Sequence, residues 1–237
     1  MLALNSLGTV SYAADPPPDL AKRVAEREAK NEFERAHYTY RQTVVVEDFD
    51  DRGSRTGEYR EVRDVIFSPV GDRTEVTVGK PTNNLKRLKL TEEDFADIRD
   101  VQPFLFTPDR VWVYETKFRG EEAVDGIDCY LLDVRPRQML QGQRYFDGTF
   151  WVDKRDYSII RSEGKAVPQR LSTNAARENL FPRFTTIRQQ FGEYWFPIRT
   201  YGDDTLYFSH GPVRMKLTIR YSDYKRFGSE STITIEK

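Results

Sequence analysis

A strict alternation of apolar and polar residues near the end of the sequence constrains the fold more than any other feature. Its apolar members are Val213, Met215, Leu217, Ile219 and Tyr221, and the residues between them are Arg, Lys, Thr and Arg. Successive side chains of a β-strand point to opposite faces, so this segment predicts a strand with one apolar and one charged face. Such strands are typical of antiparallel sheets that are wetted on one side.

The same period of two recurs along most of the chain. The predicted strands fall at 38–46, 56–67, 73–78, 112–118, 129–134, 144–153, 158–163 and 213–221. Turn-forming residues separate them, with Asp50 to Ser54 predicted as a hairpin turn and Lys154 to Asp156 as another. Counted over the whole chain, this pattern predicts about ten or eleven strands in a meander, with no βαβ units.

Two segments have helical spacing instead. Between Asp19 and His37 an apolar stripe begins at Leu20 and Val24 and continues to Phe33, with Asp19 as a plausible N-cap. The second segment opens with Thr91-Glu-Glu-Asp94, which has the form of a capping box in which Asp94 replaces the usual Glu.

Flanking residues support this second helix. Leu90 and Phe95 occupy the two positions of a hydrophobic staple, and Phe95, Ile98 and Val101 form a short apolar stripe that Pro103 ends. We expect the helix to plug or cover a sheet. With two helices and many strands, the predicted class is α+β, mainly β.

Composition excludes several classes of protein. The 37 basic and 38 acidic residues give a formal charge of −1 and are mixed along the chain, so we expect no nucleic-acid partner. The mean hydropathy is −0.70, and no stretch reaches the roughly 20 apolar residues of a bilayer-spanning helix. Cys129 is the single cysteine, which rules out an internal disulfide, and its apolar surroundings predict a buried, inert thiol.

The first residues resemble the end of a signal peptide. A mildly apolar start is followed by small residues, Ser11 to Ala14, and then by Asp15 and three prolines, although the basic start of a signal peptide is missing. The alternative is a disordered leader. We therefore treat residues 1–18 as a leader and 19–237 as a single domain, without a lipidated N-terminus.

The longest interruption of the strand pattern, Ala166 to Pro182, is either a functional lid or a disordered loop.

Few residues suggest catalysis or metal binding. His37 falls at a predicted helix end and His210 in a predicted turn, and no Gly-x-Ser-x-Gly motif occurs. Asp203 and Asp204 are predicted to lie in a solvated loop, and the acidic cluster at Asp48 to Asp51 lacks the spacing of a calcium loop. The sequence predicts no enzyme, no metal and no cofactor; a hydrolase is the least favoured alternative.

Three segments together resemble a known family. They are 33–44, an aromatic strand ending near Gln42; 120–136, which contains Cys129; and 150–164, Phe-Trp-Val-Asp-Lys-Arg-Asp-Tyr-Ser-Ile-Ile-Arg-Ser-Glu-Gly. In order and spacing they resemble the LolA and LolB lipoprotein carriers of the bacterial periplasm and their RseB-like relatives. The resemblance covers most of the chain from Phe33 onward. Carriers follow their second strand with a Lys-Arg-Pro element, whereas this chain reads Val62-Arg63-Asp64, so no functional residue is transferred.

The resemblance implies an antiparallel sheet of about ten or eleven strands, curled into an incomplete half barrel around two or so helices. It also implies an apolar cavity that binds the acyl chains of lipids or lipoproteins. The implied function is the sorting of outer-membrane lipoproteins, and the implied protein is an exported, soluble monomer of the periplasm. Candidate lining residues are Tyr38, Tyr40, Val44, Val46, Trp112, Tyr114 and Phe118; the alternative is that they form a solid core. The competing function is an RseB-like regulatory module whose partners are envelope membrane proteins, contacted through 166–182.

Overall fold

The computed structural model describes residues 15–68, 72–100, 106–140, 143–169 and 180–227. Within these ranges, eleven strands form one antiparallel sheet, in the order β3-β2-β1-β11-β10-β9-β8-β7-β6-β5, with β4 paired to β2. The strands are β1 (Tyr38–Phe49), β2 (Arg55–Phe67), β3 (Arg73–Thr77), β4 (Thr82–Asn83), β5 (Tyr114–Val124), β6 (Ile127–Pro136), β7 (Tyr145–Asp153), β8 (Ile159–Val167), β9 (Phe184–Phe191), β10 (Tyr194–Phe208) and β11 (Gly211–Arg226). The predicted strand count and antiparallel arrangement are confirmed.

The topology is a set of hairpins joined by one long-range pairing. Most neighbouring strands are consecutive in the chain, but β1 also pairs with β11, with Val44 opposite Ile219 and Val46 opposite Leu217. β3 and β5 lie at the two ends of the strand order. The sheet is therefore not closed into a barrel, as the predicted half barrel requires.

Local turn chemistry explains the first hairpin. The Asp50 side chain accepts hydrogen bonds from the backbone N–H groups of Arg52 (2.9 Å) and Ser54 (2.8 Å). Gly53 has a φ of +82°, a conformation in which a side chain would be strained. The predicted turn at 50–54 is confirmed.

Alternation along β1 and β11 separates an inner, apolar face of the sheet from an outer, polar one. In β11 the five residues that carry the predicted apolar alternation are all buried, whereas Arg214 and Arg220 are exposed. In β1 the buried inner-face residues include Tyr40, Val44 and Val46. The main core therefore lies on one side of the sheet, and helices and loops cover it from that side. A smaller buried cluster lies on the other side, where Leu131 of β6 faces Trp151 of β7.

Helix α1 (Leu20–Arg35) contributes Leu20, Val24 and Ala25 to this core. Farther along, the buried positions are Glu28, Asn31 and Glu34, whereas Phe33, which we placed on the apolar stripe, is 71% exposed. The prediction for Phe33 was wrong because a buried ion pair, Glu28 with Arg188 of β9 (2.6 Å), turns that side of the helix toward the sheet.

The N-terminus of α1 also differs from the prediction. Asp19 occupies the N-cap position, but its side chain makes no capping hydrogen bond. Its carboxylate instead accepts a hydrogen bond from Arg23 Nε at 2.8 Å. The helix start was predicted correctly, and the role of the Asp19 side chain was not.

Helix α2 (Glu92–Asp100) has the predicted capping box. Thr91 N–H donates to the Asp94 carboxylate (2.7 Å), and Asp94 N–H donates to Thr91 Oγ1 (3.2 Å). Ile98 is buried, and Leu90 and Phe95 pack against the core. Val101 and Pro103 lie outside the described residues. A 3₁₀ turn, Val111–Val113, precedes β5.

The predicted interruption at 166–182 begins inside the sheet, because Ala166 and Val167 are the buried end of β8. Leu180 and Phe181, at its other end, are buried in the core. Residues 170–179 and the leader up to residue 14 lie outside the described residues. No helix in the described ranges is both long enough and apolar enough to cross a bilayer.

Candidate functional site

The candidate site lies between the inner face of the sheet and the segments that cover it. We call residues 84–98 and 180–182 the cover. A small hollow separates the cover from β1, β10 and β11. Its lining is apolar except for Asp94 and comprises Val46, Leu88, Leu90, Asp94, Ile98, Leu180, Phe181, Pro182, Leu206, Met215 and Leu217.

The hollow is nearly filled in this structure. Its volume is about 20 Å³, room for about one water molecule. Drug-sized ligands occupy pockets of several hundred Å³. As it stands in this structure, the hollow is therefore too small for an acyl chain.

One buried carboxylate ties the cover to the sheet. Asp48 of β1 accepts hydrogen bonds from the backbone N–H groups of Lys86 (2.7 Å), Arg87 (2.6 Å) and Leu88 (3.1 Å), and from Thr56 Oγ1 (2.7 Å). Burial by itself would raise the pKa of Asp48, but the hydrogen bonds outweigh it and leave the pKa lowered. The cover is thus held at its start by an ionised side chain.

Gly57 allows the cover to cross β2 closely. A Cβ atom at this position would lie 2.6 Å from Leu85 Cα and also too close to the Asn84 carbonyl oxygen. On the same strand, Glu58 N–H donates to Asn84 Oδ1 at 2.6 Å. The start of the cover is therefore fitted against the sheet by backbone contacts, which leaves Leu85 and Leu88 to pack on the core.

Among the described residues that line the hollow, Asp94 is the one ionisable group. Burial raises the pKa of its carboxyl group to about 6, and hydrogen bonds from Thr91 only partly oppose this. The nearby carboxylates of Asp97 and Glu93 raise it further. Asp97 itself is paired with Arg144, whose Nε lies 2.9 Å from its carboxylate. The cover therefore contains a carboxyl group whose charge changes close to neutral pH.

The structure separates the predicted lining residues into three groups. Tyr40, Val44, Val46 and Tyr114 are buried in the main core, and Tyr38 and Phe118 are half-buried. Tyr40, Val44 and Val46 lie together on β1, whereas Tyr114 and Phe118 lie on β5, at the other end of the strand order. Only Val46 lines the hollow.

Trp112 is the member of this set that the structure contradicts. It is 70% exposed and lies in the 3₁₀ turn before β5, not on a strand. Its indole N–H donates to the Asp109 carbonyl oxygen at 2.5 Å. The alternation that included it was misleading because the strand begins two residues later, at Tyr114.

Polar residues on the inner face were missed by the sequence prediction. Gln42, between Tyr40 and Val44 on β1, is 0% exposed, and its strand neighbours are Arg63 of β2 and Tyr221 of β11. Within the described part of the chain, neither Nε2 nor Oε1 of Gln42 has a hydrogen-bond partner. The alternation of β1 could have identified Gln42, because it places this residue on the same face as Val44.

Arg63 extends the polar group toward the edge strand β3. It is 4% exposed; its Nη1 donates to Glu75 at 2.6 Å, and its Nη2 lies 3.5 Å from Glu61. Tyr59 O–H donates to the same Glu61 carboxylate at 2.9 Å. On the other side of Gln42, Thr186 and Thr200 are hydrogen-bonded at 2.8 Å. The inner face thus carries a band of polar residues across several strands.

The residues considered for catalysis or metal binding are committed to structural roles. His37 Nδ1 lies 3.0 Å from the Phe33 carbonyl oxygen, and His210 stacks on Phe208 in the turn before β11. Among the described residues, no group of three or more His, Cys, Asp or Glu side chains is arranged to hold a metal ion. Cys129 is fully buried, and burial raises the pKa of its thiol to about 12.

The prediction of a solvated loop at Asp203 and Asp204 was wrong, since both residues lie within β10. Asp203 pairs with Arg214 (3.1 Å) and Lys216 (3.4 Å) of β11, and the hydrogen bond from Arg214 lowers its pKa. Asp204 accepts a hydrogen bond from Arg183 N–H at 2.9 Å. Alternation in β10 is weak because acidic residues occupy its middle, and this hid the strand.

A second concavity, of about 450 Å³, lies on the outer face of β5 to β8. Strand register places Glu115, Arg135, Asp147 and Lys165 in one row across the four strands, with charges that alternate in sign. Cross-strand pairs of opposite charge stabilise a solvated sheet face. We therefore regard this surface as the wetted side of the sheet.

The chain is similar to several solved structures. No family model and no curated protein matches the sequence. Among solved structures, a DUF1329 family protein from Desulfovibrio piger is 15% identical, with a TM-score of 0.41, and the match covers 92% of this chain and 96% of that one. A LolA superfamily protein from Nitrosomonas europaea is 14% identical, with a TM-score of 0.37 and coverage of 88% and 94%.

A third match is a domain described as an outer membrane lipoprotein-sorting protein, from Vibrio parahaemolyticus. It is 11% identical, with a TM-score of 0.36, and the match covers 84% of this chain and 90% of that one. Two of these three structures are described as a LolA superfamily protein and an outer membrane lipoprotein-sorting domain, the proteins that the sequence motifs resemble.

Proposed function

We propose that the protein binds the hydrocarbon chain of a lipid or lipoprotein without covalent chemistry, between the inner face of the sheet and the cover. One observation carries the proposal: among the described residues, the apolar face near β1 and β11 is covered by a short segment that Asp48 ties to the sheet, and not by a second sheet. Opening the cover would expose Val46, Met215 and Leu217 together. A large exposed apolar surface of this kind is unfavourable unless a guest covers it.

The free energy gained by burying a hydrocarbon chain can be compared with the free energy lost when the cover separates from Asp48. Burial of each CH₂ group contributes roughly 0.8 kcal/mol, so a chain of about ten carbons would gain on the order of 8 kcal/mol before the costs of binding. Against this stand the hydrogen bonds of Asp48 to the cover, each of which contributes about 1.5–3 kcal/mol when the acceptor is charged. The two quantities are of similar size, which suits reversible loading and release.

In this role the protein acts as an exported, monomeric envelope carrier in the periplasm, without a catalytic step or cofactor. Its partners are acyl chains and the envelope proteins that deliver or receive them. The alternative of a regulatory module that contacts proteins through residues 166–182 stays a prediction, because most of that segment lies outside the described residues. A pull-down from envelope extract with delipidated protein would distinguish the regulatory module from the carrier. A protein partner that is retained without lipid would favour the regulatory module.

The direct test compares two neighbouring residues of the cover. Leu88 lines the hollow, whereas Lys89 is exposed. The protein is titrated with a fluorescent long-chain fatty acid, and lipid that co-purifies is identified by mass spectrometry after extraction. We expect binding by the wild type, at least tenfold weaker binding by Leu88→Asp, and unchanged binding by Lys89→Asp.

Two results would contradict the proposal. One is the absence of both co-purified lipid and probe uptake in the wild type, at any pH between about 5 and 8, where the Asp94 carboxyl changes charge. The other is equal uptake by Leu88→Asp and Lys89→Asp, which would place the probe outside the hollow.

A further inference from the structure

The starting observation is a buried amide between two apolar residues of one strand face, Tyr40 and Val44. Gln42 is completely buried, and both of its polar atoms lack a partner among the described residues. Buried polar groups of folded proteins are nearly always hydrogen-bonded, because an unpaired one loses its bonds to water without replacement. An amide at this position therefore destabilises this structure, and an apolar residue of similar size would not.

The neighbours of Gln42 indicate which chemical group it suits. Arg63 lies opposite it on β2, and within the described residues the Nε and Nη2 atoms of Arg63 also lack a hydrogen-bond partner. Gln42 Oε1 can accept a hydrogen bond, and its Nε2 can donate two. Together the two side chains offer several donors and one acceptor, so a group with a carbonyl oxygen and an N–H or O–H matches them best.

The charges around Arg63 favour a neutral group over an anion. Arg63 donates to Glu75 at 2.6 Å and lies 3.5 Å from Glu61, while Arg73 pairs with Glu75 at 2.6 Å. The two arginines and two glutamates sum to zero charge. An amide or a protonated carboxyl group can therefore bind without an unbalanced charge, whereas a carboxylate or phosphate would face two glutamates.

The same strand connects this polar point with the hollow. Gln42, Val44 and Val46 lie on one face of β1, and Val46 lines the hollow. With a rise of about 3.4 Å per residue, Gln42 and Val46 are about 14 Å apart along the strand. A single molecule could contact both points if it had a polar group at one end and an extended hydrocarbon chain at the other.

We infer that Gln42, assisted by Arg63, is the recognition point for the neutral amide or carboxyl group of an acylated ligand whose hydrocarbon chain lies toward Val46 and Met215. This inference rests on the proposed function and adds to it the polar chemistry of the ligand. Glu75 on the edge strand is only half-buried, so the polar end enters from the β3 side of the sheet. The hydrocarbon end lies under the cover.

The test uses three probes that share a twelve-carbon chain: dodecanamide, methyl dodecanoate and dodecane. Each displaces a fluorescent fatty acid from the full-length protein. The ester accepts hydrogen bonds but donates none, and dodecane does neither. We expect the wild type to prefer the amide to dodecane by about tenfold or more, the effect of one or two hydrogen bonds to an otherwise unpaired group. The ester should fall between the two.

Gln42→Met removes the amide while keeping the size of the side chain. We expect it to bind dodecanamide about tenfold more weakly than the wild type, to bind dodecane equally well, and to be at least as stable toward urea. Thr43→Met, at the next residue and on the opposite face of β1, is the matched control and should retain the preference for the amide.

The outcomes separate this inference from the proposed function. If dodecane and dodecanamide both bind, and Gln42→Met changes neither, Gln42 is a buried polar residue without a role in recognition and the inference is overturned. If no probe binds to any variant, the proposed function fails with it. Loss of binding for all three probes in Gln42→Met alone would show a packing defect, and would also overturn the inference.

Discussion

The carboxylate of Asp48 lies 2.6 Å from the backbone nitrogen of Arg87 and so joins the first strand of the sheet to a segment about forty residues farther along the chain. Three consecutive N–H groups of the cover donate to this one side chain. Side-chain acceptors that replace the regular ladder of a strand fix irregular segments in place. Asp48 therefore determines where the cover begins.

Replacement of Asp48 should loosen the cover. We expect Asp48→Asn to lower the free energy of unfolding by about 2 kcal/mol, because a neutral acceptor replaces a charged one at several hydrogen bonds. Urea denaturation measures the change. Glu115→Gln, on the exposed side of β5, is the control and should stay within about 0.5 kcal/mol of the wild type. Equal stability of the two variants would show that the cover is held by packing alone.

The lowered pKa of Asp48 gives this contribution a defined pH range. Because the folded-state pKa of Asp48 lies below the ordinary aspartate value of 3.8, the contribution is present above that value and is lost as the pH falls through the folded-state pKa. The stability difference between wild type and Asp48→Asn should therefore shrink below about pH 4. A difference that persists unchanged into stronger acid would contradict the assignment.

Asp94 should have the opposite pH dependence. Its pKa is raised from 3.8 to about 6, so the folded state binds the proton more tightly than the unfolded state. Its favourable contribution is complete below about pH 4 and is lost as the pH rises to about 6, above which the buried charge destabilises the cover. We expect Asp94→Asn to be more stable than the wild type by about 1–2 kcal/mol at pH 7.5, and by less at pH 4.5.

Thermal unfolding of wild type and Asp94→Asn at several pH values tests this prediction. Asp133→Asn, on the outer face of β6, is the control, because its carboxylate is partly exposed and pairs with Arg119. A destabilised Asp94→Asn at neutral pH would show that the capping hydrogen bonds of the charged form outweigh its burial.

The buried pair of Glu28 and Arg188 should be far more sensitive than an exposed pair. Arg188 Nη1 donates to both carboxylate oxygens of Glu28, at 2.9 and 2.6 Å. We expect Arg188→Met to lose about 3–5 kcal/mol, because it leaves Glu28 charged and buried. Arg214→Met, which breaks the half-exposed pair with Asp203, should lose at most about 1 kcal/mol. The double variant Glu28→Gln/Arg188→Met should recover part of the loss in urea denaturation.

Gly148 should tolerate no side chain. A Cβ atom there would lie 2.6 Å from Gly164 Cα and 2.6 Å from Phe146 Cζ, and would also collide with the Glu163 carbonyl oxygen. We expect Gly148→Ala to destabilise the protein by more than about 2 kcal/mol in urea denaturation, because backbone atoms of β8 must move. Phe146→Leu should not rescue it, since the backbone contacts remain. A rescue would show that the Phe146 ring is the obstacle.

Much of the architecture was predictable because it depends on local periodicity. The alternation at Val213 to Tyr221, the Asp50 turn and the Thr91–Asp94 capping box are short-range patterns, and each is confirmed. Errors arose where a distant partner decides the outcome. Glu28 is buried because Arg188 neutralises it from 160 residues away, and this moved Phe33 to the surface.

The site was less predictable than the fold for the same reason. Apolar and aromatic alternation, which predicts lining residues from sequence, points to Trp112 and not to the polar Gln42. The hydrogen bonds from the cover to Asp48 cannot be predicted from the residues next to Asp48 in the sequence. The same is true of the environment of Gln42, because both depend on pairing between segments that are distant in sequence. The register of β1 with β2 and β11 had to be known first.

Within the described residues, the sheet ends at two strands, β3 and β5, that do not pair with each other. A closed barrel has a circumference fixed by its strand number and shear. An open sheet has no such constraint, so the distance between its terminal strands depends on the twist at each strand junction and on what packs against the inner face.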